Sequence, residues 1–138
     1  MTVMIDTNII LDYLLKRDNF AEIARECIEY LYVNKIKAYL TASTVTDIHY
    51  FVLKYVKDNN AAKNIISTLL NSFRVSSVSK TDCIKALKLK VEDYEDSLLC
   101  ICAKKIKADY IITRNTKDFI NSPVTAITPL DFIEDINL

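Results

Sequence analysis

Three consecutive apolar residues, Val3-Met4-Ile5, run straight into a carboxylate at Asp6 and then into Thr7-Asn8. An apolar run without polar alternation suits a strand covered on both faces, as in a parallel sheet. Ile10, Leu11, Leu14 and Leu15 follow with a helical period. A buried strand that passes directly into a helix restricts the chain to folds built from βα units. It also places Asp6 at the carboxyl end of a central strand, where open α/β sheets bind their ligands. Asp, Thr and Asn are equally good N-cap residues, so capping of the next helix competes with a functional reading of Asp6 or Thr7 taken alone.

The rest of the sequence repeats this alternation. Helices are expected over 8–16, from an Asp18 cap to about Asn34, from a Ser43 or Thr44 cap through Tyr55, over 61–70, 81–89 and 93–107, and from Thr128-Pro129 through Phe132 and Ile136. Short β-rich runs at 38–41, 73–78, 110–113 and 124–127 read as further strands. Strands separated by helices need crossover connections, which predicts a three-layer α/β/α sandwich with a central, mostly parallel sheet of four to five strands. At 138 residues and with no repeat or linker, the chain is expected to form a single domain over 1–138.

Composition removes several function classes. The chain contains no glycine, which excludes the glycine-built phosphate loops of P-loop and dinucleotide-binding proteins. Backbone positions needing φ > 0 are expected to fall to asparagine, at Asn34, Asn59, Asn60 and Asn121. The four cysteines, Cys27, Cys83, Cys100 and Cys102, form no CxxC pair, and His49 is the only histidine. A zinc cage and a dithiol redox centre are therefore unsupported, and reduced, packed thiols are expected. Eighteen basic residues balance eighteen acidic ones, so any nucleic-acid binding must rest on local patches. No apolar run reaches a membrane span and no signal peptide is evident, so no membrane association and a cytoplasmic location are expected.

Besides Asp6, oxygen ligands arise at several expected strand and helix ends. Asp47 lies one turn into the third helix, Asp93 and Asp96 open the sixth, and Asn115 and Asp118 follow the fourth strand. Carboxylates gathered without a cation repel one another and tend to protonate. A hard, all-oxygen set without histidine or thiolate suits Mg²⁺ or Mn²⁺, which activate water and neutralise phosphodiester charge. Nucleic acid is the substrate class this chemistry serves. Structural readings stand beside it: Asp93 and Asp96 fit a helix cap, Asp47 an ordinary first-turn acid, Asn115 and Asp118 a turn. His49 reads as a packed helix residue, and Ser97 has no triad partners. A phosphoacceptor receiver domain shares the layer architecture, but the run at 75–78 ends without the acid it requires.

In order and spacing, Met4-Ile5-Asp6-Thr7-Asn8-Ile9, Asp93-Tyr94-Glu95-Asp96-Ser97 and Ala108 to Phe119 resemble the PIN domain (PilT N-terminus-like) family. The likeness is closest to its VapC-like branch, the toxin components of bacterial toxin-antitoxin pairs. The resemblance implies a Rossmann-like α/β/α fold, a Mg²⁺/Mn²⁺-dependent endoribonuclease activity, an RNA substrate, and an antitoxin protein as partner, while the aromatic helical positions Tyr50, Phe51 and Tyr55 read either as core or as a partner or homodimer surface. Position by position, it implies metal or catalytic roles for Asp6, Asp47, Asp96 and Asn115, and support from Thr7, Asn8, Asp93, Thr113 and Asp118. Arg114 and Arg17 are expected to contact RNA phosphates. Asp47 stands where the family usually has glutamate, and Asn115 where it has Asp or Asn. These departures motivate the alternative of a catalytically silent module that binds RNA or a protein.

Overall fold

Val3, Met4 and Ile5 are fully enclosed, as a doubly covered strand requires. They form the centre of a sheet in a computed structural model that describes residues 1–136. The strands are β1 (Thr2–Ile5), β2 (Lys37–Thr41), β3 (Arg74–Ser76), β4 (Tyr110–Ile112) and β5 (Ala126–Ile127). All pair in parallel, in the order β3-β2-β1-β4-β5. The chain thus builds outward from β1 on one side and then crosses to the other, so the reversal of strand order falls between β1 and β4.

Among the described residues seven helices flank the sheet: α1 (Thr7–Leu14), α2 (Asp18–Val33), α3 (Ala42–Val56), α4 (Asn59–Ser72), α5 (Lys80–Ala86), α6 (Tyr94–Lys105) and α7 (Pro129–Asp135). A 3₁₀ turn covers Thr116–Phe119. Because strand side chains alternate, β1 divides its residues between two cores. Val3 and Ile5 pack with residues of α1 to α4 and with Phe132 of α7. Met4 packs with Ile111 and with Leu99, Cys100, Cys102 and Ala103 of α6. Helix α5 lies outside α6 through Ala86, Leu98 and Ile101. The expected three-layer α/β/α arrangement is therefore present, with the sheet entirely parallel. Among the described residues no helix is long and apolar enough to cross a membrane.

Several expected boundaries move, each for a local reason. Thr41, rather than Ser43 or Thr44, caps α3, its Oγ1 accepting the Thr44 amide at 3.1 Å. Asp58 caps α4 by accepting the Asn60 and Ala61 amides, which draws Asn59 and Asn60 into the helix. Arg17 occupies the N-cap position of α2, and Asp18 is its first helical residue. The asparagine expectation is corrected outright: among the described residues positive φ falls on Lys16, Lys35, Lys57 and Lys107, and on none of Asn34, Asn59, Asn60 and Asn121. Each lysine follows a helix. At Lys35 and Lys107 the chain closes in paired backbone bonds, Lys35 N–H to Tyr32 and Ile36 N–H to Leu31, then Lys107 N–H to Lys104 and Ala108 N–H to Ala103. The steric cost of the left-handed conformation is offset in part by an ammonium set at the negative end of a helix dipole. Asn34 instead caps one residue earlier, its side chain donating to the Tyr30 carbonyl at 2.9 Å.

Candidate active site

The β1/β4 ladder continues one step past the strands, with the Asp6 amide donating to the Ile112 carbonyl at 3.0 Å. This sets Asp6 beside Thr113, whose hydroxyl donates to Asp6 Oδ2 at 2.9 Å. Asp6 occupies the N-cap position of α1 but makes no side-chain capping bond. The carboxylate, 9% exposed, is held by the neighbouring strand end rather than spent on the helix. Burial raises its pKa, with the Thr113 hydroxyl only partly opposing the shift.

Asp6 lines a cavity of about 510 Å³ at the carboxyl edge of the sheet. Four other segments reach the same cavity. Helix α1 contributes Thr7 and Asn8, α3 contributes Asp47, the start of α6 contributes Asp93, Glu95 and Asp96, and the loop after β4 contributes Asn115 and Asp118. A hydroxyl network supports the α3 side: Thr7 Oγ1 donates to Thr44 Oγ1 at 3.3 Å, and Thr41 Oγ1 to the same atom at 2.8 Å. The Asn115 amide donates to Thr113 Oγ1 at 3.2 Å, tying this loop to the residue that orients Asp6. Asp93 takes the capping role that its position allowed, Oδ2 accepting the Asp96 amide at 3.2 Å, while still facing the cavity.

The charges in this cavity act on one another. The Asp96 carboxyl is pushed up to about 7, first by burial and then by the charges of Asp6, Asp93 and Asp118. Glu95 is also pushed up to about 7, first by a hydrogen bond it shares with Asp47, then by burial and by Asp47, Asp93 and Asp96. Glu95 was visible in the sequence as one of three acids at a helix start. Its pairing with Asp47 was not, because those residues belong to different helices. The donor set is entirely oxygen. Among the described residues no three His, Cys, Asp or Glu side chains converge tightly enough to hold an ion by themselves. Such a set fits only a cation that keeps most of its water, as Mg²⁺ does, and Asp6 and Asp96, whose charges act on each other across the cavity, are the carboxylates that would hold one.

The two arginines expected to face phosphates diverge. Arg17 lines the cavity and Arg114 does not. Both turn to a carboxylate that sequence reasoning passed over, Asp12, which lies 2.7 Å from Arg114 Nε and 3.6 Å from Arg17 Nη1. The Arg114 Nε and Asp12 Oδ2 atoms are buried and make no aligned hydrogen bond elsewhere. Their short approach is the charge pair that satisfies both. Only the helical period of α1 could have hinted at this, since Asp12 falls among its inward-facing residues.

A parallel sheet with gathered carboxylates at the reversal of its strand order places the chain among α/β proteins that bind ligands at that crevice. A model of the PIN domain family matches residues 2–117, and the chain belongs to that family. Its structure is similar to that of VapBC2 from Rickettsia felis bound to a DNA fragment from its promoter, with a TM-score of 0.72 at 18% identity over 93% of this chain and 98% of that one. It is similarly close to a toxin-antitoxin complex from Klebsiella pneumoniae, with a TM-score of 0.71 at 21% identity over 92% and 97% of the two chains. Mycobacterium tuberculosis VapC20, described as a sarcin-ricin loop cleaving toxin, matches with a TM-score of 0.61 at 11% identity over 79% and 86%. At these identities the likeness is one of fold. No curated protein matches the chain in sequence.

Proposed function

We propose that this chain is a Mg²⁺- or Mn²⁺-dependent endoribonuclease and the toxin of a toxin-antitoxin pair. The observation that carries this reading is the convergence of Asp6, Asp47, Asp96, Asn115 and Asp118, from separate segments, on one cavity at the β1/β4 crevice. Membership of the PIN family and the toxin-antitoxin complexes among its structural relatives support it.

Bound there, the ion supplies an activated water and neutralises charge on the scissile phosphodiester. The protein's own residues do the rest. Thr113 fixes one Asp6 oxygen and so sets the orientation of a carboxylate that lines the cavity. Asp96 opposes Asp6 from the start of α6. Asp47 and Glu95, which line the same cavity wall, supply carboxyl groups to accept the proton of the attacking water. Asn115 is neutral and adds no further repulsion against an anionic substrate. Tyr50 and Phe51, exposed on α3, extend the cavity wall outward and give a protein partner an apolar surface from which to cover it.

Incubating the purified chain with tRNA and mRNA, in Mn²⁺ or in EDTA, tests the reading. Cleavage is expected in Mn²⁺ only, and Asp6→Asn and Asp96→Asn are each expected to abolish it while leaving the circular dichroism spectrum unchanged. Unaltered cleavage by both variants refutes the proposal. The Asp47–Glu95 pair and the neutral Asn115 favour a second reading, a silent module that binds RNA or a protein. Calorimetric titration separates the two, since a silent module takes up no Mn²⁺ in an Asp6-dependent manner.

A further inference from the structure

Asp12, on α1, is 1% exposed and has two guanidinium partners. The placement begins in the backbone. Lys16, at φ 49°, turns the chain back after α1, and the Arg17 amide donates to the Asp12 carbonyl at 3.1 Å. The Arg17 side chain then returns over the same residue. Two cations on one anion leave a surplus positive charge beside a cavity whose other charged lining residues are all acids.

The two arginines are used differently. Arg114 places Nε 2.7 Å from Asp12 Oδ2, donates from Nη2 to Oδ1 at 3.3 Å, and lies 3.9 Å above the Phe20 ring. Its fork and one face are occupied. Arg17 approaches Asp12 and Asn8 through a single nitrogen, Nη1, at 3.6 and 3.2 Å. Its Nε and Nη2 have no protein partner among the described residues, its side chain is 33% exposed, and it is the one cation lining the cavity. A guanidinium with two adjacent N–H groups free is suited to two parallel hydrogen bonds with a phosphate.

We propose that Arg17 is a phosphate-binding residue for RNA entering the acidic cavity, that Asp12 and Asn8 are the positioning residues that present it, and that Arg114 is a buttress rather than an RNA contact. The identity of the polyanion as RNA rests on the nuclease reading. The arrangement answers a need that the cavity creates, since a substrate phosphate must approach a cluster of carboxylates. A cation anchored at one nitrogen holds a phosphate at the rim with little loss of side-chain freedom.

The test measures binding of a fluorescein-labelled single-stranded oligoribonucleotide to the full chain in Ca²⁺, over a range of salt, with cleavage in Mn²⁺ followed separately. Arg17→Gln is expected to weaken binding about tenfold and to flatten the salt dependence by about 0.7 in log–log slope, the share of one lost contact on a single strand. Arg17→Lys keeps the charge but not the fork and is expected to recover less than half of that loss on a logarithmic scale. Asp12→Asn gives opposite signs for the two accounts. Removing a negative charge alone strengthens binding to a polyanion, whereas loss of presentation weakens it, and at least threefold weakening is expected. Circular dichroism melts report folding, and if Asp12→Asn fails to fold, the two Arg17 variants decide. Wild-type affinity in Arg17→Gln, tighter binding by folded Asp12→Asn, or no RNA binding by the wild-type chain overturns the inference. A wild-type chain that binds RNA through Arg17 but cleaves none overturns the nuclease reading alone.

Discussion

If the acidic cavity stores repulsion, Asp96→Asn makes the metal-free chain more stable. The Asp96 carboxyl is raised from 3.8 to about 7 by burial and by Asp6, Asp93 and Asp118. That is about three pKa units, each worth about 1.4 kcal/mol, which sets a ceiling of about 4 kcal/mol. Asp96 is only partly buried, and solvent screening reduces the figure to about 2 kcal/mol. The direction follows from proton linkage. Between pH 4 and 7 the folded chain keeps on Asp96 a proton that the unfolded chain has released, so the contribution of Asp96 to wild-type stability falls as pH rises through this window and levels off above it. The variant lacks this group, so its advantage is absent near pH 3, grows through the window and is complete by pH 8. For a chain of this length about 2 kcal/mol corresponds to a rise in Tm of about 8 °C. Thermal melts in EDTA at pH 5 and pH 8 measure it directly. Addition of Mn²⁺ should then raise the wild-type Tm more than the variant's, because only the wild type regains a full ligand pair. A variant that melts at or below the wild type at pH 8 in EDTA refutes the repulsion on which the proposed metal site depends.

Three further outcomes follow from features outside the cavity. Lys57→Gly relieves a left-handed residue at φ 57° and is expected to stabilise the chain by about 0.5 kcal/mol, net of the lost dipole interaction, as read by urea denaturation. Phe132→Ala removes a fully buried ring set edge-on to Tyr30 and Tyr110, with centroids 5.8 and 6.1 Å away, and is expected to cost about 4 kcal/mol in the same experiment. Burial pushes the Cys27 thiol up to about 12 and the Cys100 thiol up to about 11, so mass spectrometry after iodoacetamide treatment at pH 8 should find both unmodified in the native chain and alkylated in urea.

The layer architecture was legible because β1 and β4 are apolar runs ending in polar residues, and both signals survive without tertiary context. The gathering of Asp6, Asp96, Asn115 and Asp118 was legible for the same reason, since each follows a strand or opens a helix. Asp47 was placed through the helix after β2. What escaped was pairing between elements. The approach of Asp47 to Glu95 brings α3 to α6, and the Asp12 cluster joins α1 to a loop about a hundred residues away. Neither has a local signature. Asp12 in particular resembles any polar residue in a short helix until its burial is known. The left-handed lysines escaped because propensity favours asparagine, while the outcome turned on where each helix could close its last carbonyls.

The central strand β1 pairs with a strand more than a hundred positions further along, and the Thr113 hydroxyl reaches Asp6 across 107 positions. During synthesis β1 therefore emerges early and waits, its apolar side chains without their second neighbour, until β4 is released. Asp6 remains unoriented over the same interval, so a nascent or truncated polypeptide ending before Thr113 has no assembled centre. The strand pairing alone thus fixes the order of events, with Asp6 oriented only after Thr113 has docked beside it.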